Sequence, residues 1–153
     1  MTTVDERLAE LGITLPELAK PVAAYVPAII SGNLVFTAGQ LPFVDGALPE
    51  TGKLGAGVSD ESGKALARQS ALNGLAAVKS VIGSLDRITR IVKVVGFVAS
   101  DPAWSGQPGV INGASEVLGE IFGDAGIHAR SAVGVAVLPL DSPVEVELIV
   151  EFA

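Results

Sequence analysis

The sequence predicts an α+β fold, with a single mixed β-sheet and two helices packed on one face of it. Segments 59–82 and 110–122 repeat apolar residues at helical spacing. Residues 144–152 instead alternate between apolar and mostly acidic residues, as a strand with one buried face does. Other β-branched runs lie between turn signals. The expected order β-β-α-β-α-β-β therefore forms a layer of strands covered by a layer of helices.

Local signals place the elements of the N-terminal part. Residues 5–12 form a short helix with acidic residues in its first turn and a glycine at its end. Residues 24–30 and 34–41 are two strands joined by Ser-Gly-Asn, which is typical of a hairpin. The segment 42–57 is rich in Gly and Pro and is predicted to be a loop.

Caps and turns delimit the elements that follow. Ser59 is a suitable N-cap for the first long helix, and Gly83 is a suitable end for it. A turn-rich loop, 101–109, precedes the second helix. The predicted strands of this part are 87–100, 129–138 and 144–152.

Composition narrows the class of protein. The 153 residues suit one domain, contain no cysteine and only one histidine, and so exclude a disulfide, a Cys nucleophile and a His-rich metal site. No apolar run is long enough for a membrane span, and the N-terminus does not resemble a secretory signal, so we expect a cytoplasmic protein. The net charge is −7 and the ten Lys and Arg residues are scattered, which makes nucleic acid an unlikely partner.

Arg130 and Glu145 are the residues that raise a functional question. Arg130 is the last basic residue and shares its strand face with small residues, which suits either a pocket or a structural ion pair. Glu145 lies on the acidic face of the last strand, which is compatible with a solvated surface. If these two strands formed a hairpin, the two residues would lie roughly 23 Å apart. Either the strands do not pair directly, or a shared site needs a second subunit.

Three motifs resemble the RidA/YjgF family of reactive intermediate deaminases, also known as the endoribonuclease L-PSP family. The C-terminal signature corresponds to Ala-Arg-Ser at 129–131, Leu-Pro at 138–139 and Val-Glu-Val-Glu at 144–147. "SGNLVFTAGQLP" at 31–42 and "VINGASEVLGEIF" at 110–122 are similar to two further family segments. The resemblance covers about residues 21–153 and leaves residues 1–20 as an N-terminal extension with the short helix.

The resemblance implies a chorismate-mutase-like fold, a homotrimer, and ligand sites in the clefts between subunits. The implied reaction is hydrolysis of 2-imino acids, or their enamine tautomers, to 2-keto acids and ammonia, without a cofactor or a metal. Arg130 would bind the ligand carboxylate. Glu145 would move the proton of the attacking water. Gly39 would let the backbone approach the ligand closely. Tyr25 would line the pocket or give a hydroxyl contact, and Asn112 would orient the ligand or fix the loop that carries Arg130.

Departures from the family pattern keep other functions open. Ala38 stands where many deaminases of the family carry Ser, and His128 stands where they often carry Pro. A carboxylate-binding or regulatory protein that turns over little is therefore the alternative to the deaminase. An endoribonuclease is disfavoured by the acidic charge, and a chorismate mutase by the lack of convergent cations. We expect His128 to be a surface-loop residue and Trp104 to pack.

Overall fold

The computed structural model describes residues 1–18 and 24–153. It contains three α-helices, which are α1 (Val4–Glu10), α2 (Asp60–Ile82) and α3 (Gln107–Phe122). Its strands are β1 (Ala28–Ser31), β2 (Leu34–Thr37), β3 (Lys53–Leu54), β4 (Gly57–Val58), β5 (Ile88–Ala99), β6 (Ala129–Val135) and β7 (Val144–Phe152). None of the helices in the described ranges combines the length and the apolar character that crossing a membrane requires.

The main sheet has the order β1-β2-β7-β5-β6. Strands β5 and β6 are parallel, whereas all other neighbours are antiparallel, so the sheet is mixed as predicted. The predicted α+β class is therefore confirmed. The segment 42–57 is more ordered than a loop, because it contributes β3 and the first residue of β4, which pair with each other in a separate small sheet. Leu54 of β3 also bridges to Ser100, directly after β5.

Helices α2 and α3 cover the same face of the main sheet. On β7 the side chains of Val144, Val146, Leu148 and Val150 are buried beneath them. Two glycines allow the close packing: a Cβ on Gly74 of α2 would lie 2.9 Å from Leu148 Cδ1, and one on Gly96 of β5 would lie 2.5 Å from Ile111 Cδ1. The position of α3 above the sheet is therefore set by the contact between Ile111 and Gly96.

Local signals account for the boundaries of the long helix. The Ser59 side chain accepts a hydrogen bond from the backbone N–H of Ser62, and Gly83 ends the helix at a φ of 84°, as the sequence predicts. The first hairpin also forms, although its turn has only two residues because Ser31 already pairs with Leu34.

Strands β6 and β7 do not form a hairpin. Both pair with β5, which lies between them. A tight turn at 139–141, with Leu140 and Asp141 in the left-handed region of φ, carries the chain from one side of β5 to the other. The separation of roughly 23 Å that a hairpin would impose therefore does not apply. The predicted division into residues 1–20 and 21–153 falls at a boundary outside the described residues and stays a prediction.

Candidate functional site

The Arg130 side chain is held by α3 through neutral groups. Its Nη1 lies 2.8 Å from Asn112 Oδ1 and 3.2 Å from Ser115 Oγ. Asn112 and Ser115 are three residues apart on the helix, so both project from the face that lies over β6. Since Nη1 carries two hydrogens, both are used by these two acceptors.

In the part of the chain that the structure describes, Arg130 has no carboxylate partner. Among residues 1–18 and 24–153, no Asp or Glu oxygen lies within 4.0 Å of the guanidinium, whereas two other cations of the helix layer pair with acidic residues: Lys64 with Glu116 at 3.0 Å and Arg68 with Glu120 at 3.3 Å. The interpretation of Arg130 as a structural ion-pair residue is therefore not supported. Within the described part of the chain, its Nε and Nη2 hydrogens also have no protein acceptor.

His128 belongs to the same cluster, which the sequence did not indicate. Its Nδ1 lies 2.7 Å from the carbonyl oxygen of Gly126, and its Nε2 lies 2.9 Å from Ser115 Oγ. A carbonyl oxygen only accepts, so Nδ1 carries the hydrogen of this contact. The ring is half-buried and hydrogen-bonded at both nitrogens, unlike the surface-loop residue that we expected.

Glu145 lies on β7 and faces the open side of the sheet, opposite to the helices. It pairs with Phe97 of β5, whereas its neighbours Val144 and Val146 point into the core. The carboxyl group is half-buried, and this burial, followed by repulsion from Glu147, raises its pKa above the ordinary value of 4.5. A raised pKa suits a group that takes up and returns a proton near neutral pH.

Gly39 and the segment before β1 lie beside Glu145. A Cβ on Gly39 would be 2.7 Å from Glu145 Cδ, so only glycine lets the carboxyl group approach the backbone this closely. The neighbouring Ala38 N–H donates to the carbonyl oxygen of Pro27 at 2.7 Å, which ties the segment carrying Tyr25 alongside. The Tyr25 side chain itself is 56% exposed.

The five predicted site residues therefore form two groups in one chain. Arg130 and Asn112 lie on the helix side of the sheet, because Arg130 pairs with Val94, whose side chain is buried beneath the helices. Glu145 lies on the other side, together with Gly39. Arg130 pairs with Val94 and Glu145 pairs with Phe97, three residues further along β5. The Cα atoms of Arg130 and Glu145 are therefore separated by roughly 10 Å along the strands and roughly 10 Å across them. One chain cannot place both groups on one small ligand.

In residues 1–18 and 24–153, no group of three His, Asp or Glu side chains is placed to hold a metal ion. The chemistry that these residues offer is that of one guanidinium and of one carboxyl group of raised pKa that packs against the Gly39 backbone.

The comparisons with known proteins agree with the motifs. Residues 5–152 match the family described as "YjgF/chorismate_mutase-like, putative endoribonuclease", and the chain belongs to this family. Protein TCP17 of Trypanosoma cruzi is 43% identical over 97% of this chain and 93% of its own length. The 2-iminobutanoate/2-iminopropanoate deaminase of Dermatophagoides farinae is 30% identical over 90% of this chain and 93% of its own length.

Solved structures show the same fold at two levels of similarity. The protein Atu1372 from Agrobacterium tumefaciens superposes with a TM-score of 0.92 and 45% identity, over 98% of this chain and 92% of that one. TdcF of E. coli with bound serine superposes with a TM-score of 0.66 and 25% identity, over 90% of this chain and 94% of that one. The fold is therefore that of the family, and the chain is more similar to the Agrobacterium protein than to TdcF.

Proposed function

We propose that the protein hydrolyses reactive 2-imino acids, or their enamine tautomers, to 2-keto acids and ammonia. The observation that carries this proposal is Arg130, a guanidinium held in place by neutral groups and without a carboxylate partner among the described residues. Membership of the family and the deaminase-named relative support the reaction. The serine bound to TdcF shows that a structural relative accepts a small amino acid.

Arg130 binds the carboxylate of the substrate. Carboxylates accept two parallel N–H bonds from one guanidinium, and these charge-assisted bonds are stronger than neutral ones. Asn112 keeps the guanidinium in position by accepting one Nη1 hydrogen. Arg130 thereby fixes the orientation of the imine carbon, which is the next atom of the substrate after its carboxylate.

Glu145 transfers the proton of the attacking water to the nitrogen of the substrate. It takes a proton from water as the water oxygen attacks the imine carbon, and it returns this proton to the nitrogen. Glu145 next transfers the proton of the new hydroxyl group to the nitrogen. The C–N bond of the tetrahedral intermediate then breaks as the C=O bond forms, and ammonia and the 2-keto acid are released. An enamine first gains a proton at its third carbon and loses one from its nitrogen, which gives the imine, and then follows the same route. Neither a cofactor nor a metal takes part in these steps.

A site of this kind is assembled between subunits of a homotrimer. Arg130 and Glu145 lie on opposite sides of the sheet, so the guanidinium of one chain meets the carboxyl group of another. The open side of the sheet also exposes apolar side chains, with Ile29 at 60%, Phe36 at 38% and Val133 at 44% exposure. An apolar surface of this kind fits a second copy of the chain. Tyr25 and Gly39 line the Glu145 half of the cleft.

The test is the release of ammonia and keto acid from 2-iminobutanoate generated in the assay by an amino-acid oxidase. We expect the wild type to accelerate hydrolysis, and Arg130→Ala and Glu145→Gln to abolish the acceleration. Arg68→Ala and Glu151→Gln are matched controls, since these residues lie outside the proposed cleft, and both should retain full activity. A wild type no faster than the buffer reaction would overturn the proposal.

Coexpression of the two inactive variants tests the intersubunit site. In mixed trimers, an Arg130→Ala chain still supplies Glu145 and a Glu145→Gln chain still supplies Arg130. Random assembly restores about a quarter of the sites. We expect this fraction of wild-type activity, and a mass near three times 15.5 kDa by light scattering. A monomer, or coexpressed variants without activity, would exclude the shared site.

A carboxylate-binding protein without turnover is the second candidate. Ala38 favours it, because this position offers no hydroxyl group to a ligand. Binding of 2-oxobutanoate to the wild type without acceleration of imine hydrolysis would select this function. In either case we place the protein in the cytoplasm, where the absence of cysteine is unremarkable, and the net charge of −7 disfavours RNA as a substrate.

A further inference from the structure

We infer that Ser115 and His128 are positioning residues for Arg130, joined to it in a directional chain of hydrogen bonds. This inference rests on the proposed function, because it concerns how the guanidinium is presented to a carboxylate. The series of hydrogen bonds links Arg130 Nη1 to Ser115 Oγ at 3.2 Å and Ser115 Oγ to His128 Nε2 at 2.9 Å. It ends with His128 Nδ1, which lies 2.7 Å from the carbonyl oxygen of Gly126.

For a His128 ring with a single N–H, the direction of every bond follows from its two ends. A guanidinium only donates, so Ser115 Oγ must accept from Arg130. At the other end the Gly126 carbonyl only accepts, so His128 carries its hydrogen on Nδ1. The neutral ring then leaves Nε2 as an acceptor, and the single hydroxyl hydrogen of Ser115 points to Nε2 and away from the guanidinium.

His128 competes with the backbone of α3 for the Ser115 hydroxyl. A serine inside a helix commonly donates to the carbonyl oxygen four residues earlier, which here is that of Ile111. In that rotamer the oxygen would no longer be held toward Arg130. By accepting the hydroxyl hydrogen, Nε2 keeps Ser115 Oγ where its lone pair meets the guanidinium.

The result is a guanidinium with one defined edge for a ligand. Asn112 and Ser115 use both hydrogens of Nη1. Within the described part of the chain, the Nε hydrogen and the two Nη2 hydrogens are without protein acceptors. The Nε hydrogen and one Nη2 hydrogen are parallel and form the edge that a carboxylate binds with two bonds. We therefore assign the substrate carboxylate to the Nε–Nη2 edge.

The experiment measures the Kd of 2-oxobutanoate, the keto acid formed from 2-iminobutanoate, by calorimetry. Ser115→Ala removes the acceptor, and His128→Phe keeps a ring without nitrogens. Each is expected to weaken binding roughly tenfold, since a hydrogen bond to a charged group is lost or disordered. The double variant should bind no more weakly than Ser115→Ala alone, because His128 acts only through Ser115.

Conservative variants separate positioning from a general loss of structure. His128→Gln carries an amide oxygen near the position of Nε2, and it should keep the Kd within about threefold of the wild type. Ser80→Ala, an exposed serine on α2 with a hydrogen bond to its own helix, is the matched control and should leave the Kd unchanged. A His128→Phe protein with wild-type affinity, or additive effects in the double variant, would overturn the inference.

A second readout needs no ligand. In the wild type, NMR of the Arg130 Nε–H group should show a rigid side chain, and Ser115→Ala and His128→Phe should increase its motion to the same extent. An unchanged signal in both variants would refute the chain of hydrogen bonds. If the wild type binds no keto acid, the proposed function fails, while this measurement still decides on Ser115 and His128.

Discussion

Replacement of Gly39 by Ala is expected to disable Glu145 without unfolding the protein. A Cβ at this position would lie 2.7 Å from Glu145 Cδ and 3.0 Å from each of its carboxyl oxygens. Carbon atoms in contact prefer separations of about 3.5–4.0 Å, so one partner must retract by about 1 Å. The carboxyl group is the end of a flexible side chain, and we therefore expect Glu145 to move rather than the backbone.

The shift of the Glu145 carboxyl group determines the expected changes in kcat/KM and in stability. A misplacement of about 1 Å in a reacting group lowers the rate by up to roughly 100-fold, so kcat/KM should fall to this extent. A strained rotamer of Glu145 costs about 0.5–1.5 kcal/mol. The loss of glycine entropy from the unfolded chain offsets about 0.4–1 kcal/mol of this. The net change in the free energy of unfolding is therefore near zero, and Tm should shift by less than about 4 °C.

The assay combines the rate of imine hydrolysis with a pH titration of Glu145 by carboxyl NMR. Once the carboxyl group leaves its packed position, its pKa should move back toward 4.5. Gly119→Ala is the matched control, because a Cβ there meets nothing within 4 Å, and both readouts should equal the wild type. Full activity together with an unchanged titration in Gly39→Ala would refute the contact and the role given to Glu145.

Three further predictions concern stability. Folding raises the pKa of Glu145, so the charged carboxylate destabilises the folded state above the folded pKa. This destabilisation disappears as the pH falls toward 4.5. The variant Glu145→Gln should therefore raise Tm at pH 7, by an amount that shrinks as the pH approaches 4.5. Gly96→Ala places a Cβ 2.5 Å from Ile111 Cδ1 and should lower the free energy of unfolding by about 1–3 kcal/mol in a denaturant titration. Thr3→Ala removes the acceptor of the Glu6 N–H, at 3.1 Å, and should destabilise α1 by about 1 kcal/mol in hydrogen exchange.

Each of these predictions has its own control. The Tm values of the wild type and Glu145→Gln are compared at one protomer concentration, because association contributes to Tm. An increase in Tm that does not depend on pH would contradict the coupling between the protonation of Glu145 and stability. The added Cβ would also lie 2.5 Å from Cγ1 and 2.7 Å from Cγ2 of Ile111, so Gly96→Ala should cost less in an Ile111→Ala background than in the wild type, and an equal cost in both would place the strain elsewhere. Thr2→Ala should leave exchange in α1 unchanged, and equal effects of the two threonine variants would exclude a specific cap.

Much of the fold could be predicted because its signals are local. The Ser59 cap, the Gly83 stop and the helical spacing between them lie within one segment, so α2 was predicted to within a residue. The alternation of 144–152 likewise reports a strand buried on one face. Strands β3 and β4 were missed because two-residue strands have too few side chains to show any alternation.

The pairing of β6 could not be predicted in the same way. A five-residue connection to β7 is compatible with a hairpin, but β5, α3 and β6 form a crossover unit that places β6 parallel to β5. The connection then passes the end of β5 with Leu140 and Asp141 both at a φ of 58°, a conformation that non-glycine residues adopt rarely. The tertiary arrangement therefore overrides the local preference, and no pattern within the segment reports it.

The site was predictable residue by residue but not as an arrangement. Asn112 and Arg130 could be named from motifs, whereas Ser115 and His128 join the hydrogen bonds around Arg130 only because α3 lies at a particular distance above β6. The helical spacing of Asn112 and Ser115 was the available signal, since residues three apart share a face. Without the sheet order it did not indicate what that face contacts.

Two glycines hold the two halves of the proposed site, and their replacement should separate binding from turnover. Gly39 controls the position of Glu145, so Gly39→Ala should slow hydrolysis and leave the affinity for 2-oxobutanoate nearly unchanged. Gly96 controls the depth of α3 and with it the acceptors around Arg130, so Gly96→Ala should weaken this affinity as well as the fold. If Gly39→Ala and Glu145→Gln both weakened binding as strongly as they slowed hydrolysis, Glu145 would be a ligand contact, and the assignment of the proton transfer to it would be wrong.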